Sequence, residues 1–158
     1  PHSALIVFGP FMRTEAQEQF LARIGRLDAV EAITFDARIE HLMQGAVGVV
    51  GMGGYNTFCE ILSFDKPALI VPRTKPRLEQ YIRAARATEL GLISMLDDDK
   101  SHDPQLMATA LRQLTQQRRP SEIVLPGLLD GLDNTNQLAG QWLARGRAAD
   151  LAVVGTKT

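Results

Sequence analysis

Residues 47–60 read Val-Gly-Val-Val-Gly-Met-Gly-Gly-Tyr-Asn-Thr-Phe-Cys-Glu, and the rest of the chain is organised around them. A short apolar run, long enough for a strand, meets three glycines within four residues and then a helical pattern. Such a turn brings free backbone N–H groups and the positive end of a helix dipole to the mouth of a sheet, a place that suits an anion, most often a phosphate. The same glycines also serve a plain tight turn that needs positive φ. Spacing alone does not separate the two.

The surrounding segments repeat the theme. Residues 4–8, Ala-Leu-Ile-Val-Phe, are an unbroken apolar run closed by Gly9 and Pro10, as expected of a strand buried on both faces of a parallel sheet. A helix follows from Thr14, its N-cap, with Phe20, Leu21, Ile24 and Leu27 inward. Residues 29–35 form a second strand. Asp36 caps a short helix through Met43, and residues 46–50 form the third strand. After the glycine turn a helix spans 57–64. Asp65-Lys66-Pro67 marks a turn, and 68–71 is a fourth strand closed by Pro72. The next helix places Leu78, Tyr81, Ile82, Ala85 and Leu90 on one face and ends at Gly91; residues 92–96 are a fifth strand. Asp103 or Ser101 caps a helix that starts at Pro104, with Leu106, Ala110, Leu111 and Leu114 inside. The last helix spans 134–145 with Leu138, Trp142 and Leu143 on its apolar side, and the chain beyond Ala148 reads as loose. Strands alternating with helices predict an α/β fold, a mostly parallel sheet with helices on both faces and ligands beyond the carboxyl ends of the strands.

Composition narrows the function classes. The 158 residues suit one domain, and 17 Lys and Arg against 18 Asp and Glu leave no global basic field for nucleic acid or an anionic membrane. No run is long enough for a transmembrane segment, and the first residues carry no signal-peptide pattern. The single cysteine, Cys59, excludes an internal disulfide framework and a cysteine zinc cluster, and fits a reducing, cytoplasmic compartment. The three histidines are scattered, so no metal site and no cofactor is expected.

Two familiar nucleotide motifs are ruled out. Gly51-x-Gly53 is followed by Asn56 where a dinucleotide fingerprint has its third glycine, and no Gly-Lys-Ser/Thr exists for a Walker loop. Thr57 and Glu60 have capping-box spacing, which accounts for Glu60 without any ligand. Arg73, Lys75 and Arg77 make a basic, proline-bracketed loop that matches a diphosphate chemically and that equally suits a solvated surface. Glu79 and Arg83 are spaced for an i,i+4 ion pair, while Gln80 is free to face a polar ligand.

The ordered set Val-Gly-Met-Gly-Gly-Tyr-Asn-Thr-x-x-Glu, Pro-Ala-Leu-Ile-Val-Pro-Arg and Leu-Glu-Gln-Tyr-Ile-Arg-Ala resembles the C-terminal, donor-binding half of family 28 glycosyltransferases of bacteria, over residues 4–96. The resemblance implies one Rossmann-like α/β/α half of a two-domain GT-B fold. It implies that the chain is a C-terminal piece of a longer protein, an expectation that its abrupt start also suggests. It further implies an inverting transfer from a nucleotide-diphosphate sugar, a uridine-diphosphate sugar by expectation, to an unknown acceptor. The general base would come from the missing N-terminal domain. The whole protein would be cytoplasmic or peripheral to the membrane. By the same resemblance Glu60 holds the ribose, Gly53, Gly54, Asn56 and Thr57 surround the diphosphate, Glu79 and Gln80 meet the donor sugar, and the segment around Phe35 lies beside the base. Gly9-Pro10-Phe11-Met12 falls where relatives carry a glycine-rich loop, with one glycine left. The final helix would cross to the other domain, leaving Leu138 and Trp142 partly uncovered. Two rivals share these features: a sugar-nucleotide epimerase or hydrolase, and a non-catalytic nucleotide-sugar-binding subunit.

Overall fold

A computed structural model describes residues 2–34, 38–123 and 130–154, with the backbone alone beyond Arg145. The chain forms two compact units, Pro1–Pro120 and Ser121–Thr158. The first holds every described strand, and its α/β character follows the predicted alternation.

Five strands pair in parallel throughout, but among the described residues they divide into two sheets where the alternation predicts one. β1 (Ala4–Val7) lies beside β2 (Val30–Ile33), with Ala4 opposite Val30 and Val7 opposite Ile33. β3 (Val49–Gly51), β4 (Ala68–Ile70) and β5 (Ser94–Met95) form the other sheet with β4 central, Gly51 opposite Ile70 and Leu69 opposite Ser94. β3 starts three residues later than predicted. Gly48, just before it, presses so closely on Leu114 that a Cβ would stand 2.9 Å from its Cγ. β4 is pinned at its start by the Gln117 side chain, which accepts from the Ala68 N–H at 3.2 Å.

The core surrounds β4. Ala68, Leu69, Ile70 and Pro72 are shut from water together with Ile61, Ala84, Ala87, Leu92 and Ile93. Each large apolar side chain buried this fully contributes about 1.5–3 kcal/mol. β1 differs from its predicted two-sided burial, because Leu5 and Ile6 are exposed.

Six helices connect or follow the strands of this unit: α1 (Thr14–Ile24), α2 (Ile39–Gly45), α3 (Tyr55–Ser63), α4 (Glu79–Glu89), α5 (Asp98–Ser101) and α6 (Pro104–Leu114). Their ends show local chemistry at work. α6 begins as predicted, with the Asp103 carboxylate accepting from the Gln105 and Leu106 N–H groups and Pro104 in the first turn. Ser101 instead ends α5. At α4 the Gly91 N–H donates to Thr88 and the Leu92 N–H to Ala87, with Gly91 at φ +75°, a left-handed cap that a side chain would strain. α3 closes the same way, with Asp65 in the left-handed position at φ +55°. Thr14 proves to be the first residue of α1 and Arg13 its N-cap. The cap expected at Asp36 lies outside the described residues.

The predicted inner faces are only partly buried. On α1 just Ile24 is buried, while Phe20 and Leu21 stay exposed. On α4 the buried pair is Ala84 and Ala87, and Leu78 and Ile82 face water. α4 packs against β5, and the residues it buries are the two small ones. In the second unit α7 (Gly131–Val154) is longer at both ends than predicted and continues as helix where loose chain was expected. Its Leu138, Trp142 and Leu143 are exposed.

Candidate functional site

The glycine turn joins β3 to α3 in three steps. Gly51 ends the strand, and its carbonyl accepts from the Val71 N–H at 2.9 Å. Gly53 turns the chain at φ +70°. It is buried, and a Cβ there would stand 2.8 Å from Ile70 Cγ2, so both its backbone and its packing require glycine. Gly54 is different. Its φ is −54°, it is the N-cap of α3, and a Cβ on it would meet nothing within 4 Å. The fold needs no glycine at Gly54, and open space lies in front of it.

α3 therefore starts two residues earlier than predicted, and the capping box does not form. A box needs its hydroxyl at the N-cap. Thr57 is instead the third residue of the helix, Gly54 occupies the cap, and no side chain caps the N-terminus. The first bond of the helix runs from the Phe58 N–H to the Gly54 carbonyl. The N–H groups of Gly54, Tyr55, Asn56 and Thr57 have no acceptor among the described residues. Four successive unpaired donors at a helix N-terminus carry partial positive charge. One turn further, on the face of Thr57, Glu60 is half-buried and its carboxylate has no hydrogen-bond or ion-pair partner among the described residues.

The loop after β4 supplies the second part. It leaves the core at Pro72, which is fully buried, and becomes exposed at Arg73. Gln80, in the first turn of α4, accepts from the Arg73 N–H at 3.2 Å, so this side chain holds the start of the basic loop. Arg73, Pro76, Arg77, Glu79 and Gln80 line a cavity of about 290 Å³. Four of the residues singled out from the sequence, Arg73, Arg77, Glu79 and Gln80, thus share one cavity. Gly53, Gly54, Asn56, Thr57 and Glu60 belong to the neighbouring turn and helix. The loop after β1 is held by Gln17, whose Nε2 donates to the Met12 carbonyl at 2.8 Å, while Phe11 is fully exposed. Phe35 lies outside the described residues.

One participant was misread from the sequence. Arg83 forms no ion pair with Glu79. Its Nη1 donates to the Gly53 carbonyl at 2.8 Å, and its guanidinium lies 5.5 Å from the centre of the Tyr55 ring. α4 therefore ties both halves of the site, the basic loop through Gln80 and the glycine turn through Arg83. The second tie spans 30 residues, and no local pattern signals it.

Among the described residues, no three His, Cys, Asp or Glu side chains are grouped so as to hold a metal ion. No described helix is long and apolar enough to cross a membrane.

No curated protein matches the chain significantly. Among solved structures, the glycosyltransferase VinC, determined in complex with dTDP, aligns with a TM-score of 0.54 at 23% identity, over 73% of this chain and 33% of its own. SnogD from Streptomyces nogalater gives a TM-score of 0.40 at 14% identity, over 73% of this chain and 38% of its own. The glycotransferase of kitacinnamycin gives 0.41 at 16%, over 74% of this chain and 39% of its own. The likeness to VinC shows a shared fold, that of one part of a GT-B enzyme, and the chain spans only 33% of VinC's length. Residues 3–122, most of the sequence, match the glycosyltransferase family 28 C-terminal domain. The chain therefore belongs to glycosyltransferase family 28, as a C-terminal domain of that family.

Proposed function

We propose that this chain is the donor-binding domain of an inverting glycosyltransferase that uses a nucleotide-diphosphate sugar. One observation carries the reading. In a family 28 C-terminal domain, four unpaired N–H groups from Gly54 to Thr57 stand one turn from a half-buried carboxylate, Glu60, that has no described protein partner. The amides suit the diphosphate and the free carboxylate suits the two ribose hydroxyls. Gly53 shapes the turn, and the Asn56 and Thr57 side chains reach the same anion. Arg73 neutralises the outer phosphate, and Glu79 and Gln80 meet the sugar.

The chemistry is a displacement at the anomeric carbon. An acceptor oxygen forms its bond to that carbon as the bond to the diphosphate breaks, and the diphosphate leaves with the electron pair. The acceptor's proton passes to a base on an N-terminal domain of the whole protein. Amides and guanidinium groups already aimed at the leaving diphosphate stabilise its growing charge. By itself the domain binds nucleotide and transfers nothing. A reducing cytoplasm suits its free Cys59.

The test is a calorimetric titration of the chain with uridine diphosphate and, in parallel, with dTDP, the nucleotide held by VinC. Saturable binding is expected, weakened about tenfold or more in Glu60→Ala through loss of hydrogen bonds to a charged group. Equal affinity in Glu60→Ala would remove the ribose role. Rapid sugar transfer by the chain alone would refute the two-domain mechanism.

A further inference from the structure

The peptide between Gly53 and Gly54 is the most pliable unit of the turn. A glycine on each side lets the peptide plane rotate with little steric resistance, and a flip would reverse both of its dipoles. Ile70 packs on the side of Gly53 where a Cβ would stand, which crowds the Cα position. Arg83 restrains the peptide plane. Its Nη1 donates to the Gly53 carbonyl at 2.8 Å; Arg83 as a whole is half-buried, and its guanidinium carbon lies over the Tyr55 ring, 5.5 Å from the centroid. A planar fork stacked on an aromatic face has little freedom left, unlike a lysine ammonium on its flexible stem. The peptide is trans, so its carbonyl and its N–H point in opposite directions. A carbonyl held toward Arg83 therefore holds the Gly54 N–H away from it, and no described residue accepts that N–H.

We propose that Arg83 is a positioning residue of the donor site: it locks the Gly53–Gly54 peptide so that the Gly54 N–H is presented to the diphosphate before the donor arrives. The proposal rests on the donor-site reading above. It assigns Arg83 no contact with the donor; the residue acts through the peptide it holds. Its value is preorganisation, since an amide that must first be turned spends part of its binding energy on the turning.

The experiment uses the full chain labelled with nitrogen-15, and uridine diphosphate as the probe. In the native chain the Gly54 amide gives one narrow resonance. In Arg83→Ala it broadens through microsecond-to-millisecond exchange, and uridine diphosphate binds about tenfold more weakly. Arg83→Lys, which keeps the charge and one donor, recovers part of both effects. Tyr55→Leu keeps the hydrogen bond but removes the stacking face, so it falls between native and Arg83→Ala. Because Tyr55 is exposed, that variant also keeps the test open should Arg83→Ala fail to fold. Unchanged Gly54 relaxation in Arg83→Ala overturns the proposal even if affinity falls, because Arg83 would then act by charge alone. If the native chain binds no uridine diphosphate, the donor reading fails for that nucleotide, and the Gly54 relaxation still decides whether Arg83 holds the peptide.

Discussion

The chain contains the tetrapeptide Ala-Leu-Ile-Val twice, at residues 4–7 and at residues 68–71, and it treats the two copies differently. Both form parallel strands. In β4 the leucine and isoleucine are 1% and 0% exposed; in β1 they are 44% and 38% exposed. β4 has a strand on each side, and α6 packs against it. Among the described residues β1 has one partner strand, and α1 lies mainly against β2. Four identical residues therefore carry very different energetic weight, because coverage comes from the rest of the chain. The site follows the same division. The turn after β3 and the loop after β4 are braced by the buried sheet, by Ile70 beneath Gly53 and by α4 across both. The loop after β1 has one described side-chain hydrogen bond, from Gln17, besides the backbone bonds from Phe8 to Ile33 and from Met12 to Gly9.

The sharpest way to break this comparison is to cut both copies at the same position. Leu69→Ala leaves a cavity beneath β4 and is expected to lower stability by about 3 kcal/mol. Leu5→Ala removes a half-solvated side chain and is expected to cost about 1 kcal/mol or less. Urea denaturation of the two variants decides the point. Equal losses would mean that β1 is covered in solution, and sedimentation would then show whether a second copy covers it.

The same contrast explains what was legible in the sequence. Apolar runs placed all five strands, four of them flanked by glycine or proline and residues 29–35 by Asp28 and Asp36, since strand formation depends on local pattern. Whether a run such as residues 4–8 is covered depends on partners far along the chain, and no periodicity records them. Asp103 and Gly91 were readable because a cap is a local motif. Thr57 and Glu60 misled because a capping box is recognised by spacing alone, and Gly53 with Gly54 starts the helix two residues before it. Gln80 was read as free to face a polar ligand, and its side chain in fact accepts from the Arg73 N–H seven residues earlier. Arg83 sits beside it on the same helix, yet its partner is a backbone carbonyl 30 residues away, and a carbonyl has no side chain to announce it.

A smaller effect sharpens the comparison at the site itself, where two adjacent glycines answer to different demands. Gly53→Ala places a Cβ in a left-handed backbone and against Ile70 Cγ2, and is expected to destabilise by about 2 kcal/mol. Combining it with Ile70→Ala removes the clashing methyl, so the double variant should lose less than the sum of the two single changes. Gly54→Ala meets no neighbour and should leave stability within about 0.5 kcal/mol of native. Under the donor reading it still weakens nucleotide binding, because the new methyl projects into the space the diphosphate would fill. A Gly54→Ala chain that is stable and binds as tightly as native would show that the space is idle.

The smallest effect applies the lesson of coverage to charge. Lys100 Nζ sits 2.6 Å from Asp97 Oδ2 at the start of α5, just beyond β5, and this hydrogen bond and the Asp97 charge raise the lysine above its ordinary 10.5. The pair is short, but water reaches the lysine freely, so geometry overstates its weight just as the apolar run overstates β1. A raised folded-state value means that any stabilisation is complete below 10.5 and is lost only as pH climbs through the higher folded value. Between pH 6 and pH 9 the native chain and Lys100→Gln should therefore show parallel melting profiles with no measurable offset. A gap that opens within that interval would mean that some other titrating group depends on Lys100, and that coverage alone does not rank the interactions of this sheet.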